Sequence, residues 1–345
     1  MTRAPLTGAV AVAAAFAALA GAVAAGAAGC GRPPGFPARP GGTTPSDPSR
    51  VDHAEGFFAG AGDVQLFEQS WRPPGAPPRA VVVLVHGLLD HSSRYAAVAT
   101  CLADHGFAVY AFDLRGHAHS AGPRVWVDRF DDYLADLDGF VERVRAREPG
   151  KPVFVFGHSM GGAIVTLWAV TRKPAVAGVT LSAAALQVGV SGLKVFGTKV
   201  IAGLAPRAGV FSLDLRDFSR DPAVVKEALD DPWVYHHGAP ARTARELLRA
   251  IRRIEAAEED VTVPLLLMHG TADKVTPPAG SKALYERART ADKTLKLYDG
   301  LYHDLLHEPE KATVVRDWLD WLEKRAPPLP VATPAVSLPV VTTPP

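Results

Sequence analysis

A serine with glycines two residues to either side, Gly157-His158-Ser159-Met160-Gly161-Gly162, follows the apolar run Pro152–Phe156 and opens the helix-like stretch Ala163–Val170. A strand that stops at Gly-x-Ser-x-Gly and turns straight into a helix presents the serine hydroxyl on a strained turn, where flanking positions tolerate almost no side chain. That chemistry is nucleophilic. A serine hydroxyl is weak until a base takes its proton, and the base needs an acid to fix its tautomer. In this architecture the acid and the base follow in the order Asp, then His. Asp273 comes after the apolar run Pro264–His269, and His303 comes after Thr294–Tyr298 by way of Asp299-Gly300-Leu301-Tyr302. His307, Asp299 and Asp304 compete in the same loop, and distance from the strand end favours His303. A tetrahedral intermediate also needs two donors aimed at its oxyanion. The backbone N–H of Met160, next to the nucleophile, supplies one. The N–H of Leu88, in His86-Gly87-Leu88 after the apolar run Val81–Val85, supplies the other. The His86 imidazole is expected to hold structure rather than to catalyse. Each assignment has a plainer alternative: Ser159 as a helix cap, Asp273 as a turn residue before Pro277-Pro278, His303 as a surface histidine. Their occurrence in the required order is what sets those alternatives aside.

The residues of such a site have to be brought together by strand ends. Val64–Trp71 and Ala80–His86 read as strands, the second as an apolar run buried on both faces. Helical spacing over Tyr95–His105 is followed by a strand at Phe107–Leu114. Tyr133–Arg147 is amphipathic, with acidic residues early and arginines late, as the helix dipole favours. Val153–Phe156, Val176–Ser182, Pro264–His269 and Thr294–Tyr298 supply further strands, and Ala279–Ala288 and Thr313–Glu323 supply helices. The alternation predicts an α/β fold, a doubly wound and mostly parallel sheet whose ligand site lies at the carboxyl ends of the strands. It breaks down over about residues 184–245, which predicts an insertion. There Val190, Leu193, Val195, Phe196, Val200, Ile201 and Leu204 fall at roughly helical spacing. Such a face suits an acyl chain or a lipid surface, and it equally suits packing on the domain beneath. Arg242–Glu259 predicts a helix with Leu247, Leu248, Ile251 and Ile254 on one side and arginines as a solvated face. Tyr235-His236-His237 has no partners at ligand spacing, so no metal is expected.

With 345 residues, 48% of them hydrophobic, and a net charge of +1, the chain has no electrostatic footprint for nucleic acid. Arg3 precedes an uncharged Ala/Gly/Val stretch ending in Ala27-Ala28-Gly29-Cys30, so residues 1–30 read as an export signal ending in a bacterial lipobox. Acylation of Cys30 would tether the exported protein to a membrane; an uncleaved N-terminal transmembrane helix is the alternative. Residues 31–50 read as a Pro/Gly-rich linker, residues 51–325 as the folded domain and residues 326–345 as a proline-rich disordered tail. Cys101 reads as a small core residue, and no disulfide framework is expected.

Taken together, His86-Gly87, His91-Ser92-Ser93-Arg94-Tyr95, Asp113-Leu114-Arg115-Gly116-His117, Gly157–Gly162, Asp273 and Gly300-Leu301-Tyr302-His303 resemble the α/β-hydrolase fold. Within it they resemble the monoacylglycerol lipase and lysophospholipase branch, over roughly Glu55–Lys324. Ala118 departs from the pattern, since relatives carry a second glycine there. The resemblance implies a helical cap over the site and hydrolysis of a single-chain acyl ester of glycerol through an acyl-serine, without cofactor or metal. It further implies that Asp90 and Arg94 help hold the glycerol head. His307 enters as a further candidate, one residue out of register. A surface salt bridge is the alternative for Asp90 and Arg94. Epoxide hydrolase and dehalogenase chemistry is disfavoured, because those relatives carry an aspartate where Ser159 stands. Lysophospholipid hydrolysis, short-chain ester hydrolysis, acyl transfer and a catalytically silent lipid-binding role remain as alternatives.

Overall fold

The computed structural model describes residues 51–187 and 192–328. Cys30, the linker, Val190 and nearly all of the proline-rich tail lie outside these residues.

The chain runs β1 (Asp52–Ala59), β2 (Gln65–Arg72), β3 (Ala80–Val85), α1 (Ala96–Asp104), β4 (Phe107–Phe112), α2 (Phe130–Arg147), β5 (Val153–His158), α3 (Met160–Arg172) and β6 (Gly178–Ser182). After β6 come α4 (Gly192–Leu204), β7 (Gly209–Phe211), α5 (Pro222–Asp230), β8 (Ala239–Pro240) and α6 (Ala241–Glu255). The chain then returns to the sheet with β9 (Leu265–Gly270), α7 (Pro278–Arg287), β10 (Lys293–Tyr298) and α8 (Lys311–Glu323). Eight strands form one sheet in the order β1-β2-β4-β3-β5-β6-β9-β10. β1 and β2 pair antiparallel at one edge, and every pair from β4 to β10 is parallel. This is the doubly wound sheet the sequence predicts.

The central strands β3, β4 and β5 are buried at every position, which is why they read as unbroken apolar runs. Each face of the sheet carries its own core. Tyr133, Leu137 and Phe140 of α2 and Trp168 of α3 fill one face, joined by Ile251 and Ile254 of α6. Leu102 of α1 and Trp318 and Trp321 of α8 fill the other. Each fully buried large side chain contributes ~2 kcal/mol on transfer alone, so the sheet is clamped between two independent layers. Helix α2 begins at Phe130, three residues before the predicted start, where the Asp132 carboxylate reaches back to accept the Arg129 N–H at 3.2 Å and the Arg129 guanidinium at 3.0 Å.

β7, α5 and β8 lie in the inserted segment, for which the sequence predicts no such elements, and β1 and α6 also differ from the prediction. β1 is absent from it: six of its eight residues are exposed, so no buried periodicity marks it. Helix α6 ends at Glu255, and a separate 3₁₀ turn covers Glu258–Asp260. Its arginines are also less free than a solvated face implies. Arg242 donates to the Asp128 carbonyl at 2.9 Å, and Arg253 pairs with Asp131 of α2 at 2.8 Å, which ties the inserted segment to the body. Among the described residues, no helix is long and apolar enough to cross a membrane.

Candidate active site

The turn between β5 and α3 is held by contacts too close for side chains. A Cβ on Gly157 would lie 2.5 Å from the Gly161 carbonyl oxygen, and one on Gly161 would lie 2.3 Å from the Val85 oxygen. With the helix pressed that tightly against the strand ends, the chain reverses at Ser159, which adopts φ 53° and ψ −119°. Such a backbone costs a non-glycine residue about 1–3 kcal/mol and persists only because its surroundings over-determine it. Ser159 is 7% exposed.

Asp273 and His303 arrive from the ends of β9 and β10. The Nδ1 of His303 lies 2.8 Å from Oδ2 of Asp273, and neither side chain is exposed at all. Oδ1 of the same carboxylate accepts the Val275 and Thr276 backbone N–H groups at 2.7 and 2.9 Å. Burial alone would raise the Asp273 pKa. The charge of His303 and hydrogen bonds from His269 and His303 outweigh it and hold the carboxyl well below its usual range. An ionised acceptor at Nδ1 fixes the His303 tautomer with a lone pair on Nε2. That Nε2 is buried and has no hydrogen-bond partner among the described residues. His303 is boxed in by two further rings, His158 at 4.8 Å and Phe218 edge-on at 5.1 Å. His158 itself is pushed down to about 4 by burial and by the neighbouring His303, so it is neutral at physiological pH.

The loop after β3 lies against Ser159. A Cβ on Gly87 would stand 3.1 Å from the Ser159 Cβ, so only glycine admits this approach without displacing its neighbour. His86 organises the loop, as its structural reading anticipates. Its Nδ1 donates to the Gly87 carbonyl at 2.8 Å and its Nε2 accepts the Leu114 N–H at 2.9 Å. In a planar trans peptide, pinning the Gly87 C=O toward His86 turns the Leu88 N–H the opposite way. Met160 is the first residue of α3, where N–H groups have no intrahelical acceptor. The inserted segment reaches this loop directly: the Tyr235 N–H donates to the Leu89 carbonyl at 3.1 Å, and His91 Nε2 lies 2.9 Å from Asp231.

Asp90, Arg94 and His307 also converge, chiefly on one another. Arg94 bridges Asp90 and Asp304, each at 3.1 Å, and Tyr95 donates to Asp90 at 2.8 Å. His307 meets Asp304 at 2.8 Å and the Arg94 carbonyl at 3.0 Å. Burial would raise both carboxylates, yet Arg94 for Asp90, and His307 with Arg94 for Asp304, hold them far below their usual range. The pair suggested by sequence is thus part of a buried network with a second carboxylate, Asp304, in it. Asp304 entered the sequence reading only as a rival to the acid. His269 and Thr276, which crowd the Asp273 carboxylate, escaped it entirely. The only available signal was position, His269 four residues before Asp273 at the end of the same strand. Ala118 stands at φ 35°, so the turn keeps the left-handed backbone that glycine would adopt without strain.

A serine on a strained strand-to-helix turn, a buried Asp–His pair and a loop of backbone donors on a doubly wound sheet define a serine-type α/β-hydrolase. The Hydrolase_4 family, described as serine aminopeptidase, S33, matches residues 76–310. The chain is 38% identical over 276 residues to the monoacylglycerol lipase of Mycolicibacterium smegmatis, a match covering 79% of this chain and 97% of that protein. It is 34% identical to human monoglyceride lipase, over 78% of this chain and 90% of that one. The crystal structure of Paleococcus ferrophilus monoacylglycerol lipase superposes with a TM-score of 0.67 at 32% identity, covering 80% of this chain and 99% of that one. The chain belongs to this family of α/β-hydrolases and is a carboxylic ester hydrolase.

Proposed function

We propose that the protein hydrolyses monoacylglycerols, with Ser159 as nucleophile, His303 as general base and acid, and Asp273 as the acid that orients it. The observation that carries this is the His303 imidazole. Its Nδ1 is bonded to a buried, ionised Asp273, while its Nε2 is buried without a partner among the described residues, which leaves a base ready for a serine proton. His303 takes the Ser159 proton as Oγ attacks the ester carbonyl, and the Leu88 and Met160 N–H groups receive the oxyanion. Collapse expels glycerol, protonated by His303, and leaves an acyl-Ser159. Water, deprotonated by His303, then releases the fatty acid and restores the serine. No step calls for a metal or cofactor. The buried network of Asp90, Arg94, Asp304 and His307 supports a role in shaping the head-group end of the site from behind. Val200, Ile201 and Leu204 of α4 are exposed, Leu204 to 84%, which suits contact with a lipid surface or an acyl chain.

The test is hydrolysis by a chain lacking residues 1–31 of monoacyl-, diacyl- and triacylglycerols, lysophospholipid and a short p-nitrophenyl ester, with Ser159→Ala as control. Preference for monoacylglycerol supports the reading. Preference for lysophospholipid or the short ester keeps the chemistry and replaces the substrate, and activity independent of Ser159 removes both. We further infer export and tethering through acylated Cys30, on the charge-free stretch before Ala27-Ala28-Gly29-Cys30. Full-length Cys30→Ser should lose labelled fatty acid and leave the membrane fraction with unchanged specific activity. Incorporation of label by the variant would overturn the tether.

A further inference from the structure

We propose that His269 is a positioning residue for the reaction at Ser159: it fixes the Asp273 carboxylate in the orientation that holds His303. This rests on the triad reading above. His269 is completely buried at the end of β9. Its Nε2 lies 3.1 Å from Asp273 Oδ2 and 3.1 Å from the Thr276 carbonyl. Both neighbours are acceptors, so Nε2 carries the proton. Its Nδ1 lies 2.8 Å from the Ser281 hydroxyl, which belongs to α7 and is 1% exposed. In the neutral ring Nδ1 accepts that hydroxyl proton, and this sets the tautomer that Asp273 needs. A chain of donors thus runs from Ser281 through His269 to Oδ2, the oxygen that also accepts from His303.

The remaining donor to Oδ2 cannot take this place unaided. The Thr276 hydroxyl lies 2.9 Å from Oδ2, but it is also 2.9 Å from the Ala183 carbonyl and has a single proton to give. When Thr276 turns to Ala183, only His269 and His303 donate to Oδ2. The backbone donors from Val275 and Thr276 both act on Oδ1 and leave the carboxylate free to rock about that oxygen. His269 stops the rocking from the opposite side of His303. It also supplies charge-assisted donation to a carboxylate with no access to water.

The amide analogues separate this role from simple packing. Glutamine reaches about as far as Nε2 and can still donate to Asp273; asparagine reaches only as far as Nδ1, toward Ser281. In the chain lacking residues 1–31, His269→Asn should lower kcat by about tenfold to a hundredfold, the size of one hydrogen bond to a charged group, with KM little changed. His269→Gln should stay within about threefold of wild type. The downfield proton resonance of the His303–Asp273 hydrogen bond should persist in wild type and in His269→Gln, and shift or vanish in His269→Asn. Thermal midpoints of the two variants serve as the folding control. Equal kcat in the two variants, or an unchanged resonance in His269→Asn, overturns the proposal. Absence of Ser159-dependent hydrolysis in wild type would instead sink the triad reading, and the resonance would still decide whether His269 positions the pair.

Discussion

Ser159 occupies a backbone region that favours glycine, with φ at 53°. The side chain proposed to attack the ester is therefore held at a conformational cost, and stability and activity should move in opposite directions at this residue. Ser159→Gly relieves the strain and removes the nucleophile, whereas Ser159→Ala removes the nucleophile and keeps the strain. Both should lose about 10⁴-fold or more in turnover, since activity without a triad member falls back on the oxyanion donors and binding. Ser159→Gly should nevertheless unfold at a temperature no lower than wild type and above Ser159→Ala, by an amount corresponding to ~1 kcal/mol after the extra chain entropy of glycine. Calorimetry of the three proteins checks this. A Ser159→Gly protein clearly less stable than Ser159→Ala would mean that the turn is relaxed. His303→Ala should match Ser159→Ala in turnover; full activity there, with loss in His307→Ala, would transfer the base to His307.

At the scale of elements, the site is where the ends of β3, β5, β9 and β10 meet, and the sequence carries these unequally. The inner parallel strands were legible because burial on both faces leaves apolar runs such as Val81–Val85, and the elbow because close approach demands glycine on both sides of Ser159. β1 was not, since an exposed edge strand gains its order from pairing with β2 rather than from its own pattern. Nor could the spacing of Asp90 and Arg94 reveal Asp304, which lies more than two hundred residues away and reaches Arg94 only through the fold. That third partner changes what substitution does. Arg94, with 13% of its side chain exposed, is the cation between two buried carboxylates. Removing one partner of a buried charge network strands the others, at a cost of about 3–5 kcal/mol. Arg94→Ala should therefore be strongly destabilised in urea unfolding, well beyond the ~1 kcal/mol or less of an exposed ion pair. A variant of wild-type stability with a raised KM would instead make Arg94 a direct contact of the glycerol head.

Over the whole molecule, several imidazoles are buried, and their burial links stability to pH. His117 is pushed down to about 3 by burial and the nearby His86, and His158 to about 4 by burial and the nearby His303. The unfolded chain titrates these groups near the ordinary value of ~6.5. Between that value and the folded one, the unfolded state binds a proton that the folded state refuses. Stability therefore rises with pH across this window, and it is lost as pH falls from about 6.5 toward 4. The slope is about 1.4 kcal/mol per pH unit for each such histidine once the unfolded form is protonated, so two of them outweigh a typical surface substitution within a single unit. Asp113, held at about 2 against its own burial by hydrogen bonds from His119 and Ser92, acts with the same sign in a lower window, between about 4 and 2. The melting temperature should thus begin to drop on acidification below about pH 6.5, well before the carboxylates titrate. His117→Asn tests the assignment. The amide matches the reach of Nδ1, which donates to the Arg115 carbonyl at 3.1 Å, and it cannot titrate. Between pH 6.5 and 4.5 this variant should lose stability with a slope lower by about one proton, whatever its stability at neutral pH. An unchanged slope would show that His117 takes up its proton in the folded protein as readily as in the unfolded chain.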